Sequence, residues 1–237
     1  APGTHTTVIG AEPDGLNVNE NCGSTHIEKL CKLVKENHLD VGFAFDGDAD
    51  RCIAVDGNGE VVDGDKMLYI LGKRLKSRGM LNHDTVVATV MSNSGFFASL
   101  EEAGMKCEQT NVGDRFVYEC MQEKGYALGG EQSGHIIIKK YATTGDGILT
   151  AIMIAEEICD SKRSLAELAA PVMLYPQYTK NVKVKDKAAV FKDKDVADKL
   201  AEVEKLIDGK GRALLRQSGT EPVVRVMIES ETEEKCI

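Results

Sequence analysis

Three aspartates alternate along residues 46–50, directly after a short apolar segment. Val41–Phe45 is apolar and is bounded by turn-forming residues, a pattern that predicts a buried strand. A second apolar segment begins after Arg51, and Gly47 allows a sharp turn where the first strand ends. Mg²⁺ prefers oxygen ligands and usually leaves room for a substrate phosphate. The pattern predicts a hairpin whose loop, residues 46–51 (the acidic loop), binds a divalent cation. The predicted ligands are Asp46, Asp48 and Asp50.

Other classes of acidic loop were considered for this segment. An EF-hand requires Gly at its sixth position and Glu at its twelfth, but counting from Asp46 these positions hold Arg51 and Gly57. A haloacid-dehalogenase-type phosphatase also places two aspartates after a buried strand, and this segment alone leaves that class open. A solvated acidic turn is the simplest alternative. Three carboxylates in so short a loop repel one another, which favours a bound cation.

The composition is that of an ordinary globular protein, with 42% hydrophobic residues and a formal charge of −9. This charge argues against general binding of nucleic acid or anionic membranes, and no apolar stretch approaches the length of a membrane span. The seven cysteines are scattered without a Cys-x-x-Cys pair. Their pattern indicates reduced thiols rather than disulfides or zinc ligands, so we expect a cytoplasmic protein.

Predicted strands and helices alternate through the first two thirds of the chain. This order predicts an α/β fold, with two α/β/α domains whose sheets are mixed and mainly parallel. A proline-containing segment near residues 171–178 interrupts the alternation, and a small α+β domain follows. We therefore expect three domains, comprising residues 1–72, 73–173 and 174–237.

Four local features are expected outside the main pattern. Thr7–Ala11 has the composition of a strand, and Ser24 or Thr25 is a suitable helix cap. Ser92 and Ser94 are also expected to cap a helix. Near the C-terminus, residues 232–235 have the pattern of a capped helix.

A glycine-rich loop lies at residues 131–135, within the segment Gly129–Ile138, and follows a short predicted strand. Its carboxylate, hydroxyl and backbone groups could contact the hydroxyls of a sugar. A plain hairpin turn is the alternative. The candidate sugar-binding residues are Glu131, Ser133 and His135.

A third loop lies between two predicted strands near the C-terminus, at residues 216–225 (the arginine loop). Its two guanidinium groups could hold phosphate oxygens while hydroxyl and backbone N–H groups complete the site. A tight turn with two solvated arginines is the alternative. The candidate phosphate-binding residues are Arg216, Ser218, Gly219, Thr220 and Arg225.

The three loops occur in one order as FDGDADR at residues 45–51, GEQSGH at 130–135 and RQSGTEPVVRVMIE at 216–229. This combination resembles the α-D-phosphohexomutase family, in which metal-, sugar- and phosphate-binding loops belong to the second, third and fourth domains. Gln132 and the segments at residues 10–17 and 142–147 resemble the bacterial members that act on glucosamine phosphates. Members that act on mannose or glucose phosphates more often carry Met at position 132.

The resemblance implies a role for each candidate residue. The three aspartates would hold Mg²⁺, and Arg51 would steady the transferring phosphoryl group, or else only pair with the aspartates. Glu131 and Ser133 would hold sugar hydroxyls with help from His135, and the arginine loop would hold the phosphate that is not reacting. Asp114 and Arg115 are further candidates, although a carboxylate at a helix start is the simpler explanation of Asp114.

By resemblance, the enzyme interconverts glucosamine 6-phosphate and glucosamine 1-phosphate through a phosphoserine and a bisphosphate intermediate. The family's serine loop is not found in this sequence. We therefore expect the chain to correspond to domains two to four, with the second and fourth incomplete, and to work with a missing N-terminal domain of the same protein. Two alternatives remain: a phosphomannomutase/phosphoglucomutase, and a non-catalytic fragment that binds sugar phosphates. A phosphatase is disfavoured, because the arginine loop would then have no role.

Overall fold

The computed structural model describes residues 4–207, 211–217 and 222–236. Ser218, Gly219 and Thr220 of the arginine loop therefore lie outside the described residues. Within the described ranges, the helices are Glu28–Glu36 (α1), Gly64–Ser77 (α2), Ser94–Glu102 (α3), Asp114–Lys124 (α4), Gly147–Ser161 (α5), Leu165–Ala169 (α6), Lys187–Lys192 (α7) and Lys194–Ile207 (α8). The strands are Val41–Phe45 (β1), Cys52–Asp56 (β2), Val61–Val62 (β3), Thr85–Thr89 (β4), Lys106–Thr110 (β5), Leu128–Gly130 (β6), Ile136–Ile138 (β7), Gln177–Lys183 (β8), Gly211–Gln217 (β9) and Val223–Ser230 (β10).

The chain divides into two compact units. The first lies within Ala1–Ser92 and Leu100–Pro171, and the second within Asn93–Ser99 and Val172–Ile237. The predicted α/β fold class is confirmed, while the division into three domains stays a prediction. No helix in the described part of the chain is long and apolar enough to cross a membrane.

The first unit contains two sheets. Strands β1, β2 and β3 form an antiparallel sheet in that order, and the turn after β2 is held by Asp56, whose side chain accepts hydrogen bonds from the amides of Asn58 and Glu60. The second sheet has the order β5-β4-β6-β7, with parallel pairs around β4 and an antiparallel pair between β6 and β7. Parallel neighbours need crossover connections, which α3 and α4 lie within.

Burial explains why the second sheet forms where it does. Every residue of β4 is buried, as expected for a central strand covered on both faces. Val87 of β4 packs with Val117 and Met121 of α4 and with Ile137 of β7 in one apolar cluster. This core fixes the ends of β6 and β7, between which the glycine-rich loop lies.

The second unit is built on an antiparallel sheet of order β8-β10-β9. Glu229 on the central strand is fully buried, and its carboxylate accepts a hydrogen bond of 2.7 Å from the amide of Ser94. Arg212 lies 3.2 Å from the same carboxylate oxygen, and Gln177 donates to the other. A buried carboxylate requires such partners, because desolvation disfavours an unpaired charge.

Two of the expected helix caps were wrong. Helix α1 begins at Glu28 after Ile27 without a side-chain cap, because Ser24 lies earlier in the chain, where its amide donates to the carbonyl of Phe45. Helix α3 is capped by Asn93 rather than by either neighbouring serine, since the Asn93 side-chain oxygen accepts from the amide of Gly95 at 2.9 Å.

Two predicted elements at the ends of the chain also differ. Residues 4–27 form neither helix nor strand, and Val8 in the expected strand Thr7–Ala11 is 70% exposed. A strand needs a neighbour for its backbone hydrogen bonds, and none pairs with this segment among the described residues. Near the C-terminus, Glu233–Lys235 is a single 3₁₀ turn without a side-chain cap.

Candidate active site

The acidic loop is closed by the pairing of Phe45 with Cys52 at the ends of β1 and β2. Inside it, the amide of Ala49 donates to the Asp46 carbonyl at 3.2 Å, and Asp46 Oδ1 accepts from the Arg51 amide at 3.1 Å. Ala49 has a φ of 58°, an unusual left-handed conformation for a residue with a Cβ. The three predicted ligands are brought together, each with a carboxylate oxygen within 4.8 Å of the others.

The donor set of the acidic loop is suited to a hard cation. Asp50 Oδ1 is buried and makes no hydrogen bond to any described residue, so the atom is available as a ligand. Burial raises the pKa of the adjacent Cys52 thiol to about 12, so this cysteine supplies no thiolate. A site with only carboxylate oxygens fits Mg²⁺ or Mn²⁺ rather than a soft metal.

The guanidinium of Arg51 lies next to these carboxylates, but its Nε makes no close hydrogen bond to Asp46 or Asp50. Its Nε is 3.8 Å from Asp46 Oδ2 and 4.0 Å from Asp50 Oδ1, and 43% of its side chain is exposed. A guanidinium in this position offsets part of the negative charge and keeps exposed N–H groups for an anion.

The glycine-rich loop is a tight connection between β6 and β7. The Glu131 amide donates to the His135 carbonyl at 2.9 Å, and the Gly134 amide donates to the Glu131 carbonyl at 3.0 Å. The Glu131 carboxylate accepts from the amide of Gly113 at 3.0 Å, while Ser133 is exposed.

A side-chain contact joins this loop to the beginning of α2. Gln132 donates from its side-chain amide to Asp63 Oδ2 at 3.3 Å, and Asp63 caps α2 through the amide of Lys66. Burial raises the pKa of Asp63, although these hydrogen bonds act in the opposite direction. A methionine at position 132, as is more frequent in the members that act on mannose or glucose phosphates, could not donate this hydrogen bond. Gln132, the residue that distinguishes the two groups of members, therefore has a structural contact here.

The acidic and glycine-rich loops are joined to each other through their backbones. Arg51 and His135 form an antiparallel bridge, and the Cys52 amide donates to the Gly134 carbonyl at 3.1 Å. A Cβ on Gly134 would lie 2.1 Å from the Cys52 carbonyl oxygen, so this approach requires glycine. The two loops therefore lie side by side.

A third segment completes this arrangement at the beginning of α5. The Gly147 amide donates to the Ala49 carbonyl at 2.9 Å, which holds the left-handed residue of the acidic loop in place. Asp146 caps α5 through the amide of Leu149. A Cβ on Gly147 would lie 2.5 Å from the Arg51 carbonyl oxygen, so a side chain cannot be added at this position without displacing the loop.

His135 is buried between the two loops and the segment before α5. Its Nδ1 lies 2.9 Å from Asp50 Oδ2, and its Nε2 accepts from the Gly145 amide at 3.0 Å. The residue is only 3% exposed. The structure therefore places this predicted sugar contact against a predicted metal ligand.

Arg216 and Arg225 are directly opposite each other on β9 and β10. Both are exposed, and opposite residues of an antiparallel pair project from the same face of the sheet. Like charges directly opposite each other in a sheet are destabilising, and a phosphate between the two guanidinium groups would offset that repulsion.

Asp114 and Arg115 lie in the first turn of α4. Arg115 donates from Nε to Glu119 at 2.7 Å in an i, i+4 ion pair. The preceding Gly113 contacts Glu131, so the start of α4 adjoins the glycine-rich loop, and a functional role of these two residues stays a prediction.

Sequence reasoning did not identify the residues that support the acidic loop. Gly145, Gly147 and the left-handed Ala49 were given no role from the sequence. The pair of glycines on either side of Asp146, a helix cap, was an available signal. Close backbone packing is a common reason for glycine at such positions.

Family models match three successive parts of this chain. The phosphoglucomutase/phosphomannomutase alpha/beta/alpha domain II matches residues 4–59, alpha/beta/alpha domain III matches residues 63–175, and the C-terminal domain matches residues 180–236.

The chain is also similar to curated proteins. It is 55% identical over 236 residues to phosphoglucosamine mutase of Lachnospira eligens, covering 100% of this chain and 52% of that protein. It is 53% identical over 230 residues to phosphoglucosamine mutase of Bacillus subtilis, covering 97% of this chain and 51% of that protein. The chain thus spans about half the length of the curated relatives that it matches.

Solved structures share the fold at lower sequence identity. N-acetylphosphoglucosamine mutase of Aspergillus fumigatus, in complex with GlcNAc-6P and magnesium, matches with a TM-score of 0.69 and 20% identity over 92% of this chain and 51% of that one. A phosphoglucomutase/phosphomannomutase family protein of Burkholderia thailandensis matches with a TM-score of 0.69 and 19% identity over 90% and 47% of the two chains.

Proposed function

The chain belongs to the phosphoglucomutase/phosphomannomutase family, and from this premise we propose that it is the metal- and sugar-phosphate-binding part of a phosphoglucosamine mutase. The whole enzyme would interconvert glucosamine 6-phosphate and glucosamine 1-phosphate. The observation that carries the proposal is the joining of the acidic loop to the glycine-rich loop by the Arg51–His135 bridge. Relatives named phosphoglucosamine mutase support the choice of substrate.

Asp46, Asp48 and Asp50 would hold Mg²⁺. The bound ion would offset the negative charge of the phosphoryl group during transfer. Arg51, with much of its side chain exposed, would contact the phosphoryl oxygens and keep the group aligned for transfer. No new covalent bond to these residues is needed.

The glycine-rich loop would hold the sugar. The Glu131 carboxylate has one oxygen bound by the Gly113 amide, so its other oxygen can accept from a sugar hydroxyl. Ser133 is exposed and can donate or accept a hydrogen bond. Because hydroxyls occur around the whole ring, the same two groups can hold the sugar in both of the orientations that the reaction needs.

Arg216 and Arg225 would hold the phosphate that is not being transferred. Ser218, Gly219 and Thr220 would add hydroxyl and backbone N–H donors to this site. Their role rests on the sequence pattern, which combines two cations with small residues that leave backbone N–H groups accessible.

The phosphoryl donor would be a phosphoserine in a part of the protein other than this chain. Its phosphoryl group would pass to the free sugar hydroxyl, which gives up its proton, to form a bisphosphate. After the bisphosphate turns over, the other phosphoryl group would return to the serine, and the product would leave with one phosphate. The isolated chain, which would lack this donor, is expected to have no mutase activity.

A ³¹P NMR assay tests the proposed reaction directly. The complete protein that contains this chain, supplied with Mg²⁺, glucosamine 6-phosphate and catalytic glucose 1,6-bisphosphate, should form glucosamine 1-phosphate. The Asp48→Asn variant is the matched control, and it should lose most of this activity. A preference for mannose 6-phosphate would instead support the phosphomannomutase alternative, and no conversion of any hexose phosphate would reject the proposal.

A further inference from the structure

His135 is the group of this site whose position is least compatible with direct sugar contact. Both of its ring nitrogens have partners within the protein, Asp50 on one side and the Gly145 amide on the other. With 3% of the residue exposed, the ring has neither a nitrogen nor a surface to offer to a hydroxyl.

The hydrogen bonds assign the proton on the ring. A ring nitrogen that accepts from a backbone amide carries no proton, so Nε2 is the unprotonated nitrogen. The proton of the neutral ring is then on Nδ1, where it is donated to Asp50 Oδ2 at 2.9 Å. This hydrogen bond leaves Asp50 Oδ1, the buried oxygen without a hydrogen bond, as the coordinating atom.

Tight packing holds the ring in this orientation. The Gly145 Cα is so close that a Cβ there would lie 2.6–2.7 Å from three ring atoms. On the other side, the backbone of His135 is bridged to Arg51, directly after Asp50. The ring therefore has little freedom to rotate away from the carboxylate.

We infer that His135 is a positioning residue that orients Asp50 toward the bound cation through its Nδ1–H group. The inference rests on the proposed metal site and assigns His135 to the metal rather than to the sugar. Groups that orient a metal ligand typically change metal affinity by roughly 10- to 100-fold when they are replaced.

The first test needs neither a metal nor a variant. Long-range ¹H–¹⁵N NMR of the metal-free chain distinguishes the two neutral tautomers of histidine. We expect the signals of His135 to be those of the Nδ1–H tautomer. The Nε2–H tautomer would overturn the inference, because Asp50 would then lose its donor.

The second test compares two amide replacements of similar size. In His135→Asn, the side-chain amide nitrogen occupies roughly the place of Nδ1 and can still donate to Asp50. In His135→Gln, the amide extends toward the place of Nε2 and retains only the contact with Gly145. Titration with Mn²⁺, followed by electron paramagnetic resonance, should show affinity close to wild type for Asn and roughly 10- to 100-fold weaker affinity for Gln.

The outcomes separate this inference from the proposed function. Equal affinity of wild type and His135→Gln, or equal losses in both variants, would refute the positioning role while leaving the metal site in place. Absence of Mn²⁺ binding by the wild-type chain would reject the metal site itself. Far-UV circular dichroism of both variants checks that they are folded, and the tautomer measurement decides the matter if either is not.

Discussion

Gly145→Ala is expected to displace His135 and loosen the acidic loop. The new Cβ would lie 2.6 Å from His135 Cε1 and 2.7 Å from both ring nitrogens, whereas ordinary contact begins near 3.4 Å. The ring must therefore retreat by about 0.7 Å or more. A buried ring that moves this far cannot keep hydrogen bonds to both Asp50 and position 145.

The expected free-energy cost has two parts. Forcing a methyl group into a packed site typically costs about 1–3 kcal/mol, and leaving a buried polar group without its partner costs about 1–3 kcal/mol more. We therefore expect the free energy of unfolding to fall by about 2–6 kcal/mol. The affinity for Mn²⁺ should fall as well, because Asp50 loses its oriented donor.

Urea unfolding followed by far-UV circular dichroism measures this loss, since the chain contains no tryptophan for fluorescence. Gly57→Ala is the matched control, because its Cβ would meet only the carbonyl oxygens of Leu39 and Asp40, at the ordinary contact distances of 3.4 and 3.6 Å. This control should change stability by less than about 0.5 kcal/mol. If Gly145→Ala is as stable as Gly57→Ala and binds Mn²⁺ equally well, the reasoning about this packing is wrong.

Three further predictions concern other parts of the chain. In the complete enzyme, Arg216→Ala should lower kcat/KM in both directions by roughly tenfold to a hundredfold, since a lost charge-assisted contact costs about 1.5–3 kcal/mol. Steady-state kinetics that show a loss in one direction only would contradict a shared phosphate site. Glu229→Gln should lower the free energy of unfolding by about 3 kcal/mol because Arg212 would lose its buried carboxylate partner, whereas the exposed Glu234→Gln should not; equal urea midpoints would refute this. Hydrogen bonding to Arg74 holds the pKa of Asp160 below its ordinary value, so the stability that this contact gives the folded protein is present above the unfolded pKa and is lost as the pH falls through the folded pKa. Between roughly pH 5 and pH 3, the wild-type protein should therefore lose more stability than Asp160→Asn. Equal losses in the two proteins would contradict this prediction.

Local patterns were sufficient to predict most of the regular structure. Strand β1 follows from an apolar run between turn residues, and its bounds, Val41–Phe45, agree with those predicted. The expected strand at residues 7–11 failed because composition does not reveal whether a strand has a neighbour to pair with. The cap of α3 was missed for a related reason, since Asn93 is fixed by contacts with Tyr175, far along the chain.

The candidate site shows the same division between local and long-range information. The spacing of Asp46, Asp48 and Asp50 is a local signal, and the structure brings their oxygens together. The contact of His135 with Asp50 joins residues that are 85 positions apart. No spacing rule within one loop could predict it, because it depends on how two sheets of the first unit meet.

The site can be located directly by the effect of Mn²⁺ on the ¹⁵N-labelled chain. A bound paramagnetic ion broadens the NMR signals of nearby amides, so it reports both the ligands and their neighbours. We predict broadening in the acidic loop and, at the same time, at Gly134 and Gly147, with loss of the effect in Asp48→Asn. Broadening that spares the acidic loop, or that persists in Asp48→Asn, would contradict the claim that the two loops form one metal-binding site.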